Sequence, residues 1–234
     1  MQFPNLKIVR ANNLEEIGLK TVQIIDALSP DATAAVSGGT TYRKILQVWR
    51  EGLGPTRVKL FPVDERMVPF ESPESNWGMI QQRLLEPLDW PQSKRCFLKS
   101  MGEDAATGYE RLLRSIFHGP MPQFDLVFLG VGADGHTASL FPGGQYLNDN
   151  QSWVLQTSSP APPKDRITLG MGAICAARQV VIIVTGEEKR PVVQQMLKGD
   201  EVMPIVKVLR HPVKKLLFLD RSAAGDDWNE SMGS

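Results

Sequence analysis

Short, unbroken apolar runs constrain the fold of this chain more than any other feature of its sequence. Val180–Val184 is the most strongly β-branched run, and the other predicted strands are Thr33–Val36, Val58–Val63 and Phe124–Leu129, which is apolar apart from Asp125. Strands that are apolar on both faces are typical of parallel sheets covered by helices on each side. Segments with helical spacing alternate with these runs. The sequence therefore predicts an α/β fold, with three α/β/α layers and a mostly parallel, Rossmann-like sheet.

The helices and the weaker strands are predicted from periodicity and capping residues. Apolar residues at helical spacing predict helices at Leu14–Leu28, Thr41–Trp49, Trp77–Leu85, Ala105–Phe117 and Pro191–Leu197. A capping box of Asn12 with Glu15, or of Asn13 with Glu16, fits the start of the first helix. Weaker patterns predict a short helix at Ile174–Ala177 and strands at Arg95–Leu98, Val154–Gln156, Ile205–Val208 and Lys215–Leu219.

Composition indicates one globular domain. The 234 residues are 42% hydrophobic and 22% charged, which is sufficient for a sizeable core. The sequence has no internal repeat and no low-complexity linker. We therefore predict a single domain over residues 1–221, followed by a frayed polar tail over residues 222–234.

Charge and cysteine usage exclude several classes of protein. Lys and Arg together number 26, as do Asp and Glu, so no overall basic field exists to attract nucleic acid. Cys96 and Cys175 are too few for a disulfide framework. No apolar stretch reaches the length of a membrane span, and the first ten residues lack a signal-like core. The expectation is a cytoplasmic protein without nucleic-acid or membrane partners.

Polar motifs follow the predicted strands at the point where each strand ends. Ser37–Thr40 follows the first run, Asp64–Arg66 the second, Gly130–His136 the third and Thr185–Lys189 the fourth. Ligands of open α/β sheets bind outside the carboxyl ends of the strands. Because a parallel sheet brings these ends to one edge, the convergence of the four motifs predicts a binding site there.

The Ser37-Gly38-Gly39-Thr40 segment supports two interpretations equally. Two glycines before a helix let backbone N–H groups approach an anion, which the helix N-terminus also attracts. The same residues suit a tight strand–helix turn capped by Thr40 or Thr41.

Gly130–Gly135 has the spacing of a dinucleotide-binding loop but not its context. Pro142-Gly143-Gly144 interrupts any long helix after it, and no acidic residue ends a strand near Gln151–Gln156. Glycines this dense, Gly132 among them, instead suggest a loop that packs its backbone around a small ligand.

His136 is the strongest candidate for acid–base chemistry among the three histidines. It follows a strand end, and Asp134 lies two residues before it, where a carboxylate could orient the imidazole or only stabilise the loop. Arg43, Arg66, Arg166 and Lys189 are either solvated surface residues or members of a phosphate clamp. Neither metal-ligand spacing nor a GxSxG motif is present, so no metal site is expected.

Several motifs together resemble those of the 6-phosphogluconolactonases. The run from Gly130 to Pro142 (GVGADGHTASLFP) closely resembles the signature of that family. Four more segments fit in order: Ser37–Thr40, Asp64–Pro69 with Ser75-Asn76-Trp77, Pro162–Thr168, and Gly186–Lys189. The resemblance spans about Val36 to Arg190.

The resemblance implies the fold that these enzymes share with glucosamine-6-phosphate deaminases. It also implies hydrolysis of 6-phosphoglucono-δ-lactone in the oxidative pentose phosphate pathway, with a small phosphosugar lactone as substrate and no cofactor. His136 would be the general base, oriented by Asp134 or by another carboxylate, while Arg66 and Asp64 would assist the reaction. The residues matching the family's phosphate-binding and substrate-binding positions are Ser37, Gly38, Gly39, Thr40, Gly132, Arg166 and Lys189.

Three other functions compete with this interpretation. A sugar-phosphate isomerase–deaminase shares several motifs, but its ring-opening glutamate, five residues after the histidine, is replaced here by Phe141, which cannot transfer a proton. A non-catalytic sugar-phosphate sensor would have no need of His136 and Asp134. A nucleotide-binding protein is the weakest alternative, for the reasons given for Gly130–Gly135.

Overall fold

The large sheet is parallel, as the apolar runs predict. The computed structural model describes residues 3–55, 57–97, 104–149 and 151–225. Within these ranges the strands are β1 (Leu6–Ala11), β2 (Thr33–Val36), β3 (Lys59–Pro62), β4 (Asp64–Arg66), β5 (Leu126–Leu129), β6 (Val154–Ser158), β7 (Asp165–Leu169), β8 (Gln179–Val184) and β9 (Lys214–Asp220). Six of them form the large sheet in the order β1-β9-β8-β5-β2-β3, and each neighbouring pair is parallel.

Helices cover both faces of this sheet and create two apolar cores. The helices are α1 (Leu14–Asp26), α2 (Gly39–Gly52), α3 (Asn76–Ile80), α4 (Ala105–Ile116), α5 (Met171–Cys175), α6 (Arg190–Lys198), α7 (Pro204–Arg210) and α8 (Arg221–Ala224). Strand β5 sends Val127 and Leu129 into the core with α4–α8, and Leu126 and Phe128 into the core with α1–α3. This alternation confirms the three-layer α/β/α prediction.

A second, antiparallel sheet was not expected from the sequence. Strands β4, β7 and β6 form it in that order. Val63 joins the two sheets, since its N–H donates to Val36 O and its carbonyl accepts from Leu169 N. The chain therefore leaves the large sheet at Val63 and carries Asp64–Arg66 onto the smaller one.

A capping residue predicted from the sequence marks the start of α1. Asn13 caps α1, because its side chain accepts a hydrogen bond from Glu16 N at 2.9 Å. Glu16 Oε2 accepts a hydrogen bond from Asn12 N, one residue before the cap, at 2.8 Å. The Asn13 side chain therefore caps the helix as the second proposed box predicts, while Glu16 bonds the residue before the cap.

Two expectations at the weaker segments differ from the structure, and one strand was not expected. Ile205–Val208 is part of α7 and not a strand, because Pro204 starts a helix that is buried on nearly all sides. Of Arg95–Leu98, only Arg95 forms an isolated bridge, to Leu60, and Leu98 lies outside the described residues. The edge strand β1 was not predicted, since its half-exposed residues lack a continuous apolar run.

The carboxyl-terminal segment begins in an ordered element. Ser222–Ala224 belong to α8, which Asp220 caps through a hydrogen bond from Ala223 N. Residues 226–234 of the expected frayed tail lie outside the described residues.

Candidate active site

A cavity of about 200 Å³ lies at the carboxyl ends of β2 and β5, at the edge where the polar motifs were expected to meet. Its lining residues come from five separate segments: Ser37, Gly38, Gly39, Thr40, Thr41, Tyr42, Asp64, Arg66, Asn76, Gly130, Val131, Gly132, His136, Ala138 and Lys189. Nine of the eleven residues predicted for the site therefore line one cavity. Asp134 and Arg166 are not among the lining residues, but Asp134 contacts His136 and Arg166 is opposite Arg66 in the β4–β7 pairing.

The Gly-Gly turn places the start of α2 against the cavity. Gly39 has a φ of +87°, a conformation in which any other residue would be strained. A Cβ on Gly38 would lie 1.9 Å from Asn76 Oδ1, so only glycine permits this contact. Gly38 provides no side-chain cap for α2. The N–H groups and the partial positive charge of the helix start therefore suit an anion.

The buried carboxylate of Asp64 is held by polar neighbours from two other segments. Asp64 is 7% exposed, and its Oδ2 accepts from Ser139 Oγ at 2.7 Å. Asn76 Nδ2 donates to the Asp64 carbonyl at 3.1 Å. Ser139 N donates in turn to Thr168 Oγ1 on β7. Asp64 is thereby fixed in position on the wall of the cavity. The sequence had assigned no role to Ser139 or Asn76.

Glu65 points away from the cavity and anchors the start of α3. Its carboxylate accepts hydrogen bonds from Asn76 N, Trp77 N and Ser75 Oγ, and from the backbone N–H of Arg66. Burial raises the pKa of Glu65, although these hydrogen bonds oppose the rise. Glu65 therefore holds Asn76 beside Gly38.

A hydrogen-bonded turn presents the His136 imidazole to the cavity. Gly132 N donates to His136 O at 2.8 Å, and a Cβ on Gly132 would lie 2.1 Å from the imidazole ring. Phe141 packs against the ring, with centroids 4.9 Å apart. Two residues after His136, Ala138 has a φ of +52°, an uncommon conformation for a residue with a side chain. The imidazole is thus confined by the Gly132 backbone and by Phe141.

Asp134 is the carboxylate that orients His136. Its Oδ1 lies 2.6 Å from His136 Nδ1 and also accepts from His136 N at 3.1 Å. Burial favours the neutral acid, but the charge and hydrogen bonds of His136 outweigh it and lower the pKa of Asp134. An ionised Asp134 can only accept, so when the imidazole is neutral Nδ1 carries the proton and Nε2 holds the free lone pair. This arrangement suits a general base.

Three of the four candidate cations gather near the cavity. Lys189 Nζ donates to Val131 O at 2.9 Å. Arg66 donates to Glu74 O at 2.6 Å and lies opposite Arg166 in the β4–β7 pairing. Arg43, by contrast, is exposed and reaches Pro73 O. Lys189, Arg66 and Arg166 could therefore attract an anion into the same region.

Arg166 is buried between charges of both signs. It is 6% exposed, and within the described residues its Nη1 has no hydrogen-bond partner. Burial lowers the pKa of Arg166, and the nearby Arg66 lowers it further, while Asp64, Glu65 and Glu74 raise it. Arg166 stays charged despite these shifts, since a guanidinium is not deprotonated in proteins.

Hydroxyl groups without partners also border the cavity. Across the part of the chain that the structure describes, Ser37 Oγ and Tyr42 Oη are buried and make no hydrogen bond. Ser37 was predicted from its motif. Tyr42 was not, because a tyrosine on the apolar face of a helix has the pattern of a core residue.

Neither a metal site nor a membrane span is found in the described ranges. These residues contain no group of three or more His, Cys, Asp or Glu side chains that could hold a metal ion. None of the helices described is both long enough and apolar enough to cross a bilayer.

Comparison with known proteins places this chain among a group of related sequences and structures. The human protein named 6-phosphogluconolactonase is 41% identical over 167 residues, which cover 69% of this chain and 65% of the human protein. The matched region is thus just under two thirds of that relative. The structure named 6-phosphogluconolactonase from Trypanosoma cruzi is 28% identical, with a TM-score of 0.80 over 98% of this chain and 99% of its own.

A second structural neighbour shows the fold alone. It is a monomeric glucosamine-6-phosphate deaminase that is 20% identical, with a TM-score of 0.74 over 93% of this chain and 98% of its own.

A family profile described as glucosamine-6-phosphate isomerases/6-phosphogluconolactonase matches residues 11–218. The chain therefore belongs to the glucosamine-6-phosphate isomerase/6-phosphogluconolactonase family.

Proposed function

We propose that this chain hydrolyses 6-phosphoglucono-δ-lactone to 6-phosphogluconate, as a step of the oxidative pentose phosphate pathway. The observation that carries the proposal is the 2.6 Å contact of His136 Nδ1 with Asp134, beside a cavity that also contains the Ser37–Thr40 turn. Hydrolysis of a phosphorylated ester requires a base for the attacking water and a binding site for the phosphoryl group, and this cavity has a candidate for each.

His136 is the proposed general base. Nε2 takes a proton from a water whose oxygen forms a bond with C1 of the lactone. The tetrahedral intermediate then collapses with cleavage of the bond between C1 and the ring oxygen. The imidazolium returns its proton to that oxygen, which leaves as a hydroxyl group. One water is consumed, and His136 ends neutral.

The developing negative charge on the carbonyl oxygen needs hydrogen-bond donors. Backbone N–H groups of the Gly130–Gly135 turn, or Arg66, are the proposed donors, and each such donor contributes about 3 kcal/mol. Asp64, held by Ser139 and Asn76, is assigned to binding sugar hydroxyls or to orienting the water.

The phosphoryl group is assigned to the opposite side of the cavity. Ser37, Gly38, Gly39 and Thr40 provide the start of α2, and Lys189 and Arg166 provide positive charge. Binding this group would hold C1 in register with the water, so that the reaction becomes effectively unimolecular. We assign Gly132 to the floor beneath the imidazole.

This function requires a small-molecule phosphosugar lactone and no cofactor, metal, nucleic acid or membrane. We propose a cytoplasmic location, where such a pathway intermediate would be available.

The deciding experiment is an assay of lactone disappearance coupled to 6-phosphogluconate oxidation, corrected for spontaneous hydrolysis. We expect turnover well above the uncatalysed rate. Absence of turnover with tight binding of 6-phosphogluconate would instead indicate a sensor. Release of ammonia from glucosamine 6-phosphate would indicate a deaminase, which Phe141 beside the imidazole disfavours because it provides no acid–base group.

A further inference from the structure

Packing in the core explains the aromatic ring of Tyr42 but not its hydroxyl group. The side chain lies in the first turns of α2 and is fully buried. Its ring meets Trp49 edge to face, with centroids 6.5 Å apart, within the core that contains α1–α3. A phenylalanine would fill the same space equally well. The phenolic oxygen is therefore the feature that needs a reason.

Buried tyrosine hydroxyls ordinarily find a partner, and this chain contains a matched example. Tyr109 is also fully buried, and its hydroxyl donates to Pro62 O at 2.7 Å. Tyr42 Oη has no partner in the residues that the structure describes. Burial raises the pKa of Tyr42 well above its usual value. The group therefore stays a hydrogen-bond donor, and it has no acceptor among the residues described.

The residue that carries this unpartnered hydroxyl lines the cavity, as does Gly130 at the end of β5. Tyr42 Cε2, next to the carbon that carries the hydroxyl, is 3.7 Å from where a Cβ on Gly130 would lie. The oxygen end of the ring therefore faces the carboxyl edge of the sheet, where the ligand is expected.

A second unpartnered hydroxyl indicates which part of a ligand would be bound. Ser37 Oγ is also buried, lacks a partner in the described ranges and lines the same cavity. Ser37 and Tyr42 flank the Gly38-Gly39 turn, so both donors border the start of α2, where negative charge is favoured. Two neutral donors beside a helix start suit the several acceptor oxygens of a phosphoryl group.

We propose that Tyr42 is a substrate-binding residue whose hydroxyl donates a hydrogen bond to the phosphoryl group of the ligand. The proposal rests on the proposed function only for the identity of that ligand. It accounts for a buried donor to which the described part of the chain offers no acceptor.

The test compares Tyr42→Phe with Tyr109→Phe, two substitutions that each remove one buried hydroxyl. For Tyr42→Phe we expect the KM for the lactone and the Kd for 6-phosphogluconate to rise at least about ten-fold, as expected for loss of a hydrogen bond to a charged group. Its Tm should be unchanged or higher, because no protein group loses a partner. Tyr109→Phe should lower the Tm and leave both constants unchanged.

Binding measurements by calorimetry separate this proposal from the catalytic one. Inorganic phosphate should also bind more weakly to Tyr42→Phe, whereas gluconate, which lacks a phosphoryl group, should bind both proteins equally. Unchanged affinity of Tyr42→Phe for 6-phosphogluconate, or an equal loss for gluconate, would overturn the proposal. A wild-type protein that binds 6-phosphogluconate without lactone turnover would reject the proposed function but leave the test of Tyr42 intact.

Discussion

At the scale of single residues, the imidazole of His136 and the carboxylate of Asp134 are the proposed chemical centre of the site. The two residues are neighbours in sequence, and the turn between them is closed by Gly135 N donating to Gly132 O. The pair is therefore built by local geometry. Its position beside the cavity depends on β5, which ends directly before the turn.

Replacing His136 tests the proposed base. We expect His136→Ala to lower kcat by at least about 100-fold, since general-base catalysis contributes about that much, with little change in KM. Asp134→Asn should also lower kcat, because the amide no longer selects the Nδ1–H tautomer. An unchanged kcat of His136→Ala in the coupled assay would remove the proposed base.

Replacing Asp134 should also change how the free energy of unfolding depends on pH. The folded pKa of Asp134 is lowered, so its carboxylate contributes to folding at pH above its unfolded pKa. That contribution is lost as pH falls through the folded pKa. Wild type should therefore exceed Asp134→Asn in free energy of unfolding at neutral pH, and the difference should shrink in acid. A difference that grows in acid would contradict this assignment.

Arg166 tests the proposed phosphate clamp at the same scale. Arg166→Ala should raise the KM for the lactone about ten-fold or more, because a buried cation near the anion is lost, while kcat changes less. Arg178→Ala is the control, since Arg178 pairs with Asp125 at the opposite end of the sheet. Equal KM values in the two variants, with Arg166→Ala still folded by circular dichroism, would argue against a role in the clamp.

At the scale of elements, Glu65 couples the small sheet to the start of α3. Four donors converge on its carboxylate. In Glu65→Gln the amide N–H would face at least one of them, so we expect a loss of about 1–3 kcal/mol in the free energy of unfolding. Denaturant titration measures it, with the exposed Glu71→Gln as control. Equal free energies of unfolding for the two variants would mean that other contacts hold the start of α3.

At the scale of the whole molecule, we propose that residues 1–221 form one cooperative domain. The two apolar cores share the strands of the large sheet, so neither can unfold without exposing the other. Calorimetry should therefore show one transition. Saturating 6-phosphogluconate, at about 100 times its Kd, should raise stability by about 2.7 kcal/mol and Tm by roughly 5–10 °C. Two separable transitions would contradict a single domain.

Patterns that depend on neighbouring residues were readable in the sequence. The apolar runs determined the layered parallel sheet, because a strand buried on both faces excludes polar side chains whatever its partners. The glycines of the Ser37–Thr40 turn and the His136–Asp134 spacing were equally readable, because each is a local backbone requirement. The resemblance to one family then supplied roles for residues such as Arg166 that local pattern left open.

Contacts between distant segments were decided only by the tertiary structure. The pairing of β4 with β7, which sets Arg66 opposite Arg166, depends on where the chain leaves the large sheet at Val63. The unpartnered hydroxyl of Tyr42 was invisible for a related reason: a helical position shows that a side chain is buried, but only packing shows which atoms it meets. Burial follows from local periodicity, whereas satisfaction of a polar atom depends on every segment that reaches it.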